Sequence, residues 1–250
     1  MTPEIKKLKD IIQNTDNVVF FGGAGVSTES GIPDFRSADG LYSSKYKYPP
    51  ETILSRSFFN NHTEGFYRFY CEKMLYPEAK PNKAHIALAK LEQQGKLKAV
   101  ITQNVDGLHT LAGSKRVFEL HGSALRNICL NCGKNFNMDK ILESQSVAHC
   151  SCGGIIKPDV VLYEEQLDMN VMMEAIEAIY DADVLIVGGT SLNVYPAAGL
   201  IEHYRGDKLV LINKSQTSYD RNADLIIRES IGQTLEKVVA VTVHAALGNS

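Results

Sequence analysis

Short apolar runs that alternate with helix-like segments constrain the fold of this chain more than any other feature. The runs predict buried strands at Val18–Phe21, Ala99–Thr102, Val117–Leu120, Val184–Val187 and Leu209–Ile212. Helical periodicity precedes or separates them at residues 5–12, 84–94, 168–180, 195–204 and 232–246. Strands that alternate with helices favour a mostly parallel sheet with helices on both faces. The predicted fold class is therefore α/β.

A cysteine-rich segment interrupts this alternation between about residues 127 and 156. Cys129 and Cys132 form a C-x-x-C pair, and Cys150 and Cys152 form a tighter C-x-C pair. Such pairs are typical of a structural zinc site, in which four thiolates surround one ion. A disulfide pair and reactive thiols are the alternatives, but we find no secretory signal, and reducing compartments rarely keep structural disulfides. The segment has little apolar content, so we expect the metal to replace a hydrophobic core there.

The composition excludes several classes of function. The 250 residues are 44% hydrophobic and 22% charged, with a net charge of −3 and no long basic run, so nothing indicates a nucleic-acid partner. The charged N-terminus lacks the apolar stretch of a signal peptide, and no run approaches the length of a membrane span. We expect a cytoplasmic monomer that binds neither nucleic acid nor membranes.

A glycine-rich segment, Gly22–Gly25, follows the first predicted strand. Glycines let backbone amides approach a pyrophosphate, and a helix N-terminus adds a favourable partial charge. The dinucleotide fingerprint is incomplete, because Thr28 occupies the place of its third glycine, and a plain tight turn is the alternative. Two later strand ends carry Thr190, Ser191 and Asn213, which can hydrogen-bond a ribose. These three strand ends together make a nucleotide the favoured ligand.

Two further strand ends carry residues suited to catalysis. Asp106 and His109 follow the strand Ala99–Thr102, and His121 follows the strand Val117–Leu120. Ligands of parallel sheets bind beyond the carboxyl ends of the strands. A histidine there can act as a general base near neutral pH, and Asp106 could bind a carboxamide or orient a ribose hydroxyl. For His109 we expect a structural role with hydrogen bonds inside its loop.

Long motifs in this sequence resemble those of the sirtuins, which are NAD-dependent protein lysine deacylases. They run in order over nearly the whole chain: GGAGVSTESGIPDFR at 22–36, TQNVDGLH at 102–109, ELHG at 119–122, KPDVV at 157–161 and GTSLNVYP at 189–196, with the four cysteines between. The chain is similar to the compact bacterial members, which carry no extra terminal domains.

The resemblance implies a Rossmann-like parallel sheet with helices on both faces, plus a small zinc-binding and helical module. The large NAD-binding domain would comprise residues 1–35, 84–126 and 157–250. The small domain would combine a helical module at 36–83 with a zinc-binding module at 127–156. NAD and an acylated lysine would meet in the cleft between the two domains.

The resemblance also implies a role for each site residue. The residues that would line the phosphate, ribose and nicotinamide pockets are Ala24, Thr28, Phe35, Arg36, Gln103, Val105 and Asp106. Those that would hold the adenosine are Thr190, Ser191, Asn213 and Ile231. His121 would contact the cofactor and act as the general base, and Cys129, Cys132, Cys150 and Cys152 would hold one structural zinc ion. The peptide would add as a strand between the segments around 160–162 and 192–194.

The activity implied by the resemblance is NAD-dependent protein deacetylation, with NAD consumed as a co-substrate. The acetyl oxygen of the lysine attacks the ribose as nicotinamide leaves, and His121 then accepts a proton from the ribose. A ribose hydroxyl attacks the resulting imidate, and water completes the release. The products are nicotinamide, 2′-O-acetyl-ADP-ribose and free lysine. Four protein ligands leave the zinc no open position for a water, so its role is structural.

Two departures from the family pattern bear on substrate choice. Members that prefer succinyl or malonyl groups carry Tyr-x-x-Arg where this chain has YRFY at residues 67–70, so no guanidinium fork is available for an extra carboxylate. We therefore expect acetyl to be preferred over succinyl. The sequence YEE at 163–165 replaces the usual Phe-Gly-Glu, and we hypothesise that Glu164 favours peptides with basic flanking residues.

Three other functions stay open as alternatives. An NAD-dependent oxidoreductase would produce reduced cofactor. A mono-ADP-ribosyl transferase would transfer label from NAD to protein without an acyl-lysine. A non-enzymatic module that binds zinc and a nucleotide would keep its function after His121→Ala.

Overall fold

The architecture combines a parallel sheet, covered by helices on both faces, with a smaller antiparallel sheet. The computed structural model describes residues 1–35, 46–144 and 146–240. In these ranges the helices are α1 Pro3–Gln13, α2 Pro50–Ile53, α3 Arg56–Asn61, α4 Thr63–Lys73, α5 Lys83–Gln93, α6 Leu108–Leu111, α7 Asp139–Leu142, α8 Met169–Asp181 and α9 Ile231–Ala240. The strands are β1 Val18–Gly22, β2 Leu97–Thr102, β3 Val117–Glu119, β4 Gly122–Cys129, β5 Asn135–Asn137, β6 Ile156–Val160, β7 Val184–Gly188, β8 Lys208–Ile212 and β9 Leu225–Ile227. None of these helices has the length and hydropathy of a membrane span.

The large sheet places β1 at its centre. Across the described residues its six strands have the order β3-β2-β1-β7-β8-β9, and every neighbouring pair is parallel. Successive side chains of a strand point to opposite faces, so Val18 and Phe20 pack with α1, α5 and α9 on one side. Val19 and Phe21 pack with α8 and a 3₁₀ helix on the other. The predicted α/β class is confirmed.

Local sequence signals account for the ends of the helices that cover the sheet. Thr2 caps α1 with its side chain, Pro3 occupies the first turn, and Ile5 and Leu8 face the core. Asn82 and His85 form a capping box at the start of α5. Gly95, with a φ of +75°, follows its end.

The structure differs from the sequence expectation in two elements of the large domain. The helix predicted at 195–204 is a 3₁₀ helix over Ala197–His203, and Gly199 near its middle is a poor α-helix former. The short edge strand β9 gives too little periodicity to be predicted. Of the helix predicted at 232–246, α9 covers the part that lies within the described residues.

The small module contains a shared aromatic core. In the described residues β5, β4 and β6 form an antiparallel sheet. Phe66 and Tyr70 of α4 pack in one cluster with Cys129, Cys150 and Ile156 of the cysteine segment. A metal site would therefore add to a core that the helical segment supplies, whereas the composition suggested that it would replace one. The domain limits stay a prediction.

Candidate active site and metal centre

A cleft of about 1060 Å³ lies beyond the carboxyl ends of the parallel strands. The sequence-predicted residues that line it are Ala24, Thr28, Phe35, Gln103, Val105, Asp106, His121, Thr190, Ser191, Asn213 and Ile231. Arg36, predicted to belong to the same site, lies outside the described residues. The topology brings these distant segments together because the ends of parallel strands meet at one edge of the sheet.

The glycine loop is required by the close approach of two backbone segments. The Gly25 amide donates to the Gly189 carbonyl over 2.8 Å. A β-carbon at Gly25 would lie 2.8 Å from the Gly189 Cα, and one at Gly23 would lie 2.8 Å from the Thr190 Cβ. Two 3₁₀ turns, Ala24–Val26 and Thr28–Ser30, follow the loop instead of an α-helix. The helix N-terminus expected beside a pyrophosphate is therefore absent from this position.

A polar network that sequence reasoning missed holds Asp106 at the cleft. The Ser27 hydroxyl donates to Asp106 Oδ2 over 2.6 Å and accepts from the Asn104 amide over 3.1 Å. Asp106 Oδ1 accepts from the Leu108 backbone over 2.9 Å. Both carboxylate oxygens are thus fixed in direction. The only sequence signal for Ser27 and Asn104 was their position next to strand ends.

His121 is held in one tautomer by a backbone carbonyl. Its Nδ1 lies 2.8 Å from the Gln103 carbonyl oxygen, and a carbonyl can only accept, so Nδ1 carries the hydrogen. The lone pair then resides on Nε2 of a ring that lines the cleft. Burial lowers the pKa of His121, against a smaller opposing effect of the Gln103 carbonyl. The ring is therefore neutral near pH 7 and suited to accept a proton.

The far end of the cleft contains a buried amide suited to a ribose. Asn213 Oδ1 accepts from the Thr190 backbone over 3.0 Å, and its Nδ2 is buried with no hydrogen-bond partner in the described part of the chain. A buried donor without a partner is costly, and a ligand oxygen would satisfy it. Arg228 donates to the Asn213 and Ser215 carbonyls over 3.1 and 2.7 Å. This end of the cleft therefore suits a ligand that offers a hydroxyl or carbonyl oxygen.

Glu29 connects the glycine segment to the start of α9. Its Oε1 accepts from the Gly232 amide over 2.9 Å and from the Ser230 hydroxyl over 2.5 Å. The contact satisfies a free amide at the helix N-terminus and fixes Ile231 at the cleft. No local pattern indicates this pairing, since the partners are about 200 residues apart.

The four cysteines converge on one point. Their sulfur atoms all lie within 4.8 Å of one another, with Cys129 and Cys152 at 3.5 Å and Cys132 and Cys150 at 3.7 Å. Tetrahedral zinc with Zn–S bonds of about 2.3 Å requires sulfur separations of about 3.8 Å. All four are free thiols. The donor set fits one structural zinc ion despite the tight second pair.

His109 makes none of the hydrogen bonds expected of it. Both of its ring nitrogens are buried without a partner among the described residues, as is Nε2 of His85. The two rings meet edge to face at 4.6 Å, and they are 2% and 0% exposed. Burial lowers the pKa of His85 to about 4 and that of His109 to about 3. The pair is a neutral part of the core beneath the cleft.

Tyr67 and Tyr70 are core residues of the small module. They are 1% and 0% exposed, neither lines the cleft, and the Tyr67 hydroxyl donates to the Ile156 carbonyl. Their hydroxyl groups are therefore not available to an acyl group in the cleft. The preference for acetyl over succinyl stays a prediction.

Comparisons with known proteins agree with this geometry. The sequence model of the Sir2 family matches residues 23–196. An NAD-dependent protein deacetylase of Clostridium perfringens is 62% identical over 243 residues, 96% of this chain and all of the relative. A Sir2 structure with p53 peptide and NAD⁺ has a TM-score of 0.85 at 39% identity and covers 98% of this chain and 100% of that one. A Sir2 variant with deacetylated p53 peptide and 3′-O-acetyl-ADP-ribose has a TM-score of 0.87 at 40% identity and covers 95% and 98%. The chain belongs to the Sir2 family.

Proposed function

We propose that this protein is an NAD-dependent protein lysine deacetylase that converts NAD and acetyl-lysine to nicotinamide, 2′-O-acetyl-ADP-ribose and free lysine. The observation that carries the proposal is the neutral His121 ring, with its Nε2 lone pair, in the same cleft as the glycine loop and the buried Asn213 amide, which has no hydrogen-bond partner among the described residues. The family relatives named as NAD-dependent protein deacetylases support it. The activity belongs to the acyl-transfer class, because the acetyl group passes to ADP-ribose.

Residues of this chain contribute to each step of the proposed deacetylation. NAD supplies a ribose carbon that the acetyl oxygen can attack once nicotinamide leaves. His121 Nε2 accepts the proton of a ribose hydroxyl, and the Gln103 carbonyl stabilises the resulting imidazolium through Nδ1. Asp106, fixed by Ser27, orients the carboxamide or a ribose hydroxyl. Asn213 Nδ2 donates to the adenosine ribose.

The remaining site residues act by position. The phosphates, ribose and nicotinamide are surrounded by Ala24, Thr28, Phe35, Gln103 and Val105, and the adenosine by Thr190, Ser191 and Ile231. The same role for Arg36, which lies outside the described residues, stays a prediction. One structural zinc ion would be held by Cys129, Cys132, Cys150 and Cys152, and it would cross-link the two ends of the cysteine segment. The acetyl-lysine peptide enters beside Val160–Leu162 and Val194, which line the same cleft. The proposed protein is a cytoplasmic monomer without nucleic-acid or membrane partners, and its five free cysteines suit a reducing compartment.

Incubation with an acetyl-lysine peptide and NAD, followed by mass analysis, tests the proposal. We expect acetylated ADP-ribose and free lysine from the native enzyme. His121→Ala should abolish both while NAD binding is largely kept, and His203→Ala, an exposed histidine outside the cleft, should behave like the native enzyme. Reduced cofactor, or label transferred from NAD to protein without an acyl-lysine, would refute the proposal. So would full activity of His121→Ala.

A further inference from the structure

Glu164 adopts a backbone conformation that disfavours residues with a β-carbon. Its φ is +76°, in the left-handed region that glycine enters without steric penalty. Glu164 and the residues before it, Val160–Tyr163, line the cleft. A residue with a β-carbon keeps such a conformation only when the surrounding structure compensates for the strain.

The compensating interaction is with Ser57 of α3. One carboxylate oxygen of Glu164 accepts from the Ser57 backbone amide over 2.8 Å, and the other accepts from the Ser57 hydroxyl over 2.8 Å. Ser57 is the second residue of α3, so its amide is one of those that a helix leaves without an internal partner. Glu164 thus satisfies α3 from a segment more than 100 residues away.

The neighbours of Glu164 are bound to the same stretch of chain. The Tyr163 amide donates to the Leu54 carbonyl over 3.0 Å, and the Arg56 amide donates to the Tyr163 carbonyl over 3.0 Å. Glu165 accepts from the Arg56 guanidinium over 2.9 Å. Of these three consecutive residues, Glu164 alone has a disfavoured backbone conformation. The Ser57 contact therefore stabilises the one residue of 163–165 with a disfavoured backbone conformation. Residues 160–165 line one side of the cleft and are called its wall below.

We propose that Glu164 is a positioning residue for the acyl-lysine peptide. Its hydrogen bonds to Ser57 keep residues 161–163 in the peptide-binding conformation before the substrate arrives. This inference rests on the proposed deacetylase function. A wall that is already ordered does not have to be ordered at binding. The apparent affinity for the peptide falls in proportion to the fraction of molecules that keep the ordered wall.

Three variants separate the contact from the backbone strain. Glu164→Ala removes the contact and keeps the strain, Glu164→Gly removes both, and Ser57→Ala removes one donor only. We expect the KM for an acetyl-lysine peptide to rise about tenfold, about threefold and about twofold, respectively. The kcat and the KM for NAD should be unchanged. The double variant Ser57→Ala/Glu164→Ala should have the same KM as Glu164→Ala, because both changes break one contact.

Three kinetic results would overturn the inference. They are equal KM values for Glu164→Ala and Glu164→Gly, no effect of Ser57→Ala, or a rise confined to peptides with basic flanking residues. The last result would show that the charge of Glu164 contacts the peptide directly, as the sequence hypothesis supposes.

Hydrogen exchange in the free protein tests the same contact without catalysis. We expect the amides of residues 162–164 to exchange faster in Glu164→Ala than in the native protein. Unchanged exchange would overturn the inference whether or not the enzyme is active. If exchange is faster in Glu164→Ala as expected but the native protein deacetylates nothing, the proposed function fails and the ordering of residues 162–164 by Glu164 stands.

Discussion

The buried pair His85 and His109 predicts a steep loss of stability in acid. Both rings are neutral in the folded protein, because burial lowers their pKa values to about 4 and about 3 from an ordinary 6.5. Asp106 and Glu29 oppose this effect at His85, and a second ring nearby adds to it at His109. A histidine with a lowered folded pKa contributes stability above pH 6.5, and that contribution is lost as the pH falls toward the folded value.

The magnitude follows from proton uptake by the unfolded chain. At about pH 5 each histidine is protonated in the unfolded chain but still neutral in the folded protein. Each ring then lowers the free energy of unfolding by about 1.4 kcal/mol for every pH unit below 6.5, which amounts to about 2 kcal/mol at pH 5. Together the two rings lower the free energy of unfolding by about 4 kcal/mol between about pH 7.5 and pH 5. This is a large part of the total stability of an ordinary domain.

Urea denaturation of the native protein and of His109→Leu measures the effect. Leucine is a suitable replacement because neither nitrogen of His109 has a hydrogen-bond partner in the described residues. Between about pH 7.5 and pH 5 the variant should lose about 2 kcal/mol less than the native protein. Acid release of zinc affects both proteins alike, so the zinc content is measured at each pH. Equal losses in the two proteins would refute the reasoning.

Further predictions concern the metal, the acyl group, the glycine loop and the base. Cys150→Ala should reduce bound zinc from one per chain to almost none and lower the Tm, and full zinc content by metal analysis would contradict the assignment. The native kcat/KM should be at least about tenfold higher for acetyl than for succinyl peptides, and comparable values would refute the preference. Tyr70→Arg should destabilise the protein in thermal unfolding by about 3 kcal/mol or more instead of improving succinyl turnover, because it buries a charge in the aromatic core. Gly25→Ala should raise the KM for NAD and cost roughly 1–3 kcal/mol in urea denaturation, because its β-carbon would meet Gly189; an unchanged KM would show that the loop can give way. The kcat/KM should fall only below pH 6.5, where His121 becomes protonated, since burial lowers the pKa of His121. A fall in kcat/KM that begins above pH 6.5 would count against His121 as the base.

The sequence by itself determined the class of fold and the position of the site. All four residues at 18–21 are apolar, and successive side chains of a strand point to opposite faces. A strand with Val18 and Phe20 on one face and Val19 and Phe21 on the other therefore requires an apolar core on each side of the sheet. His121 and Asn213 follow strand ends, so the parallel topology placed both at one rim. These conclusions depend on local patterns, which a linear sequence contains.

Only the tertiary structure decided how the site residues are held. The tautomer of His121 depends on the Gln103 carbonyl, and the Glu164 carboxylate accepts its hydrogen bonds from Ser57. In each case the partner is brought close by strand pairing or by helix packing, and no local periodicity marks it. Likewise, only the packing shows that Asn213 Oδ1 accepts from the Thr190 backbone while Nδ2 is buried with no partner among the described residues. A contact between distant segments is a property of their packing, so residue types and spacing alone cannot specify it.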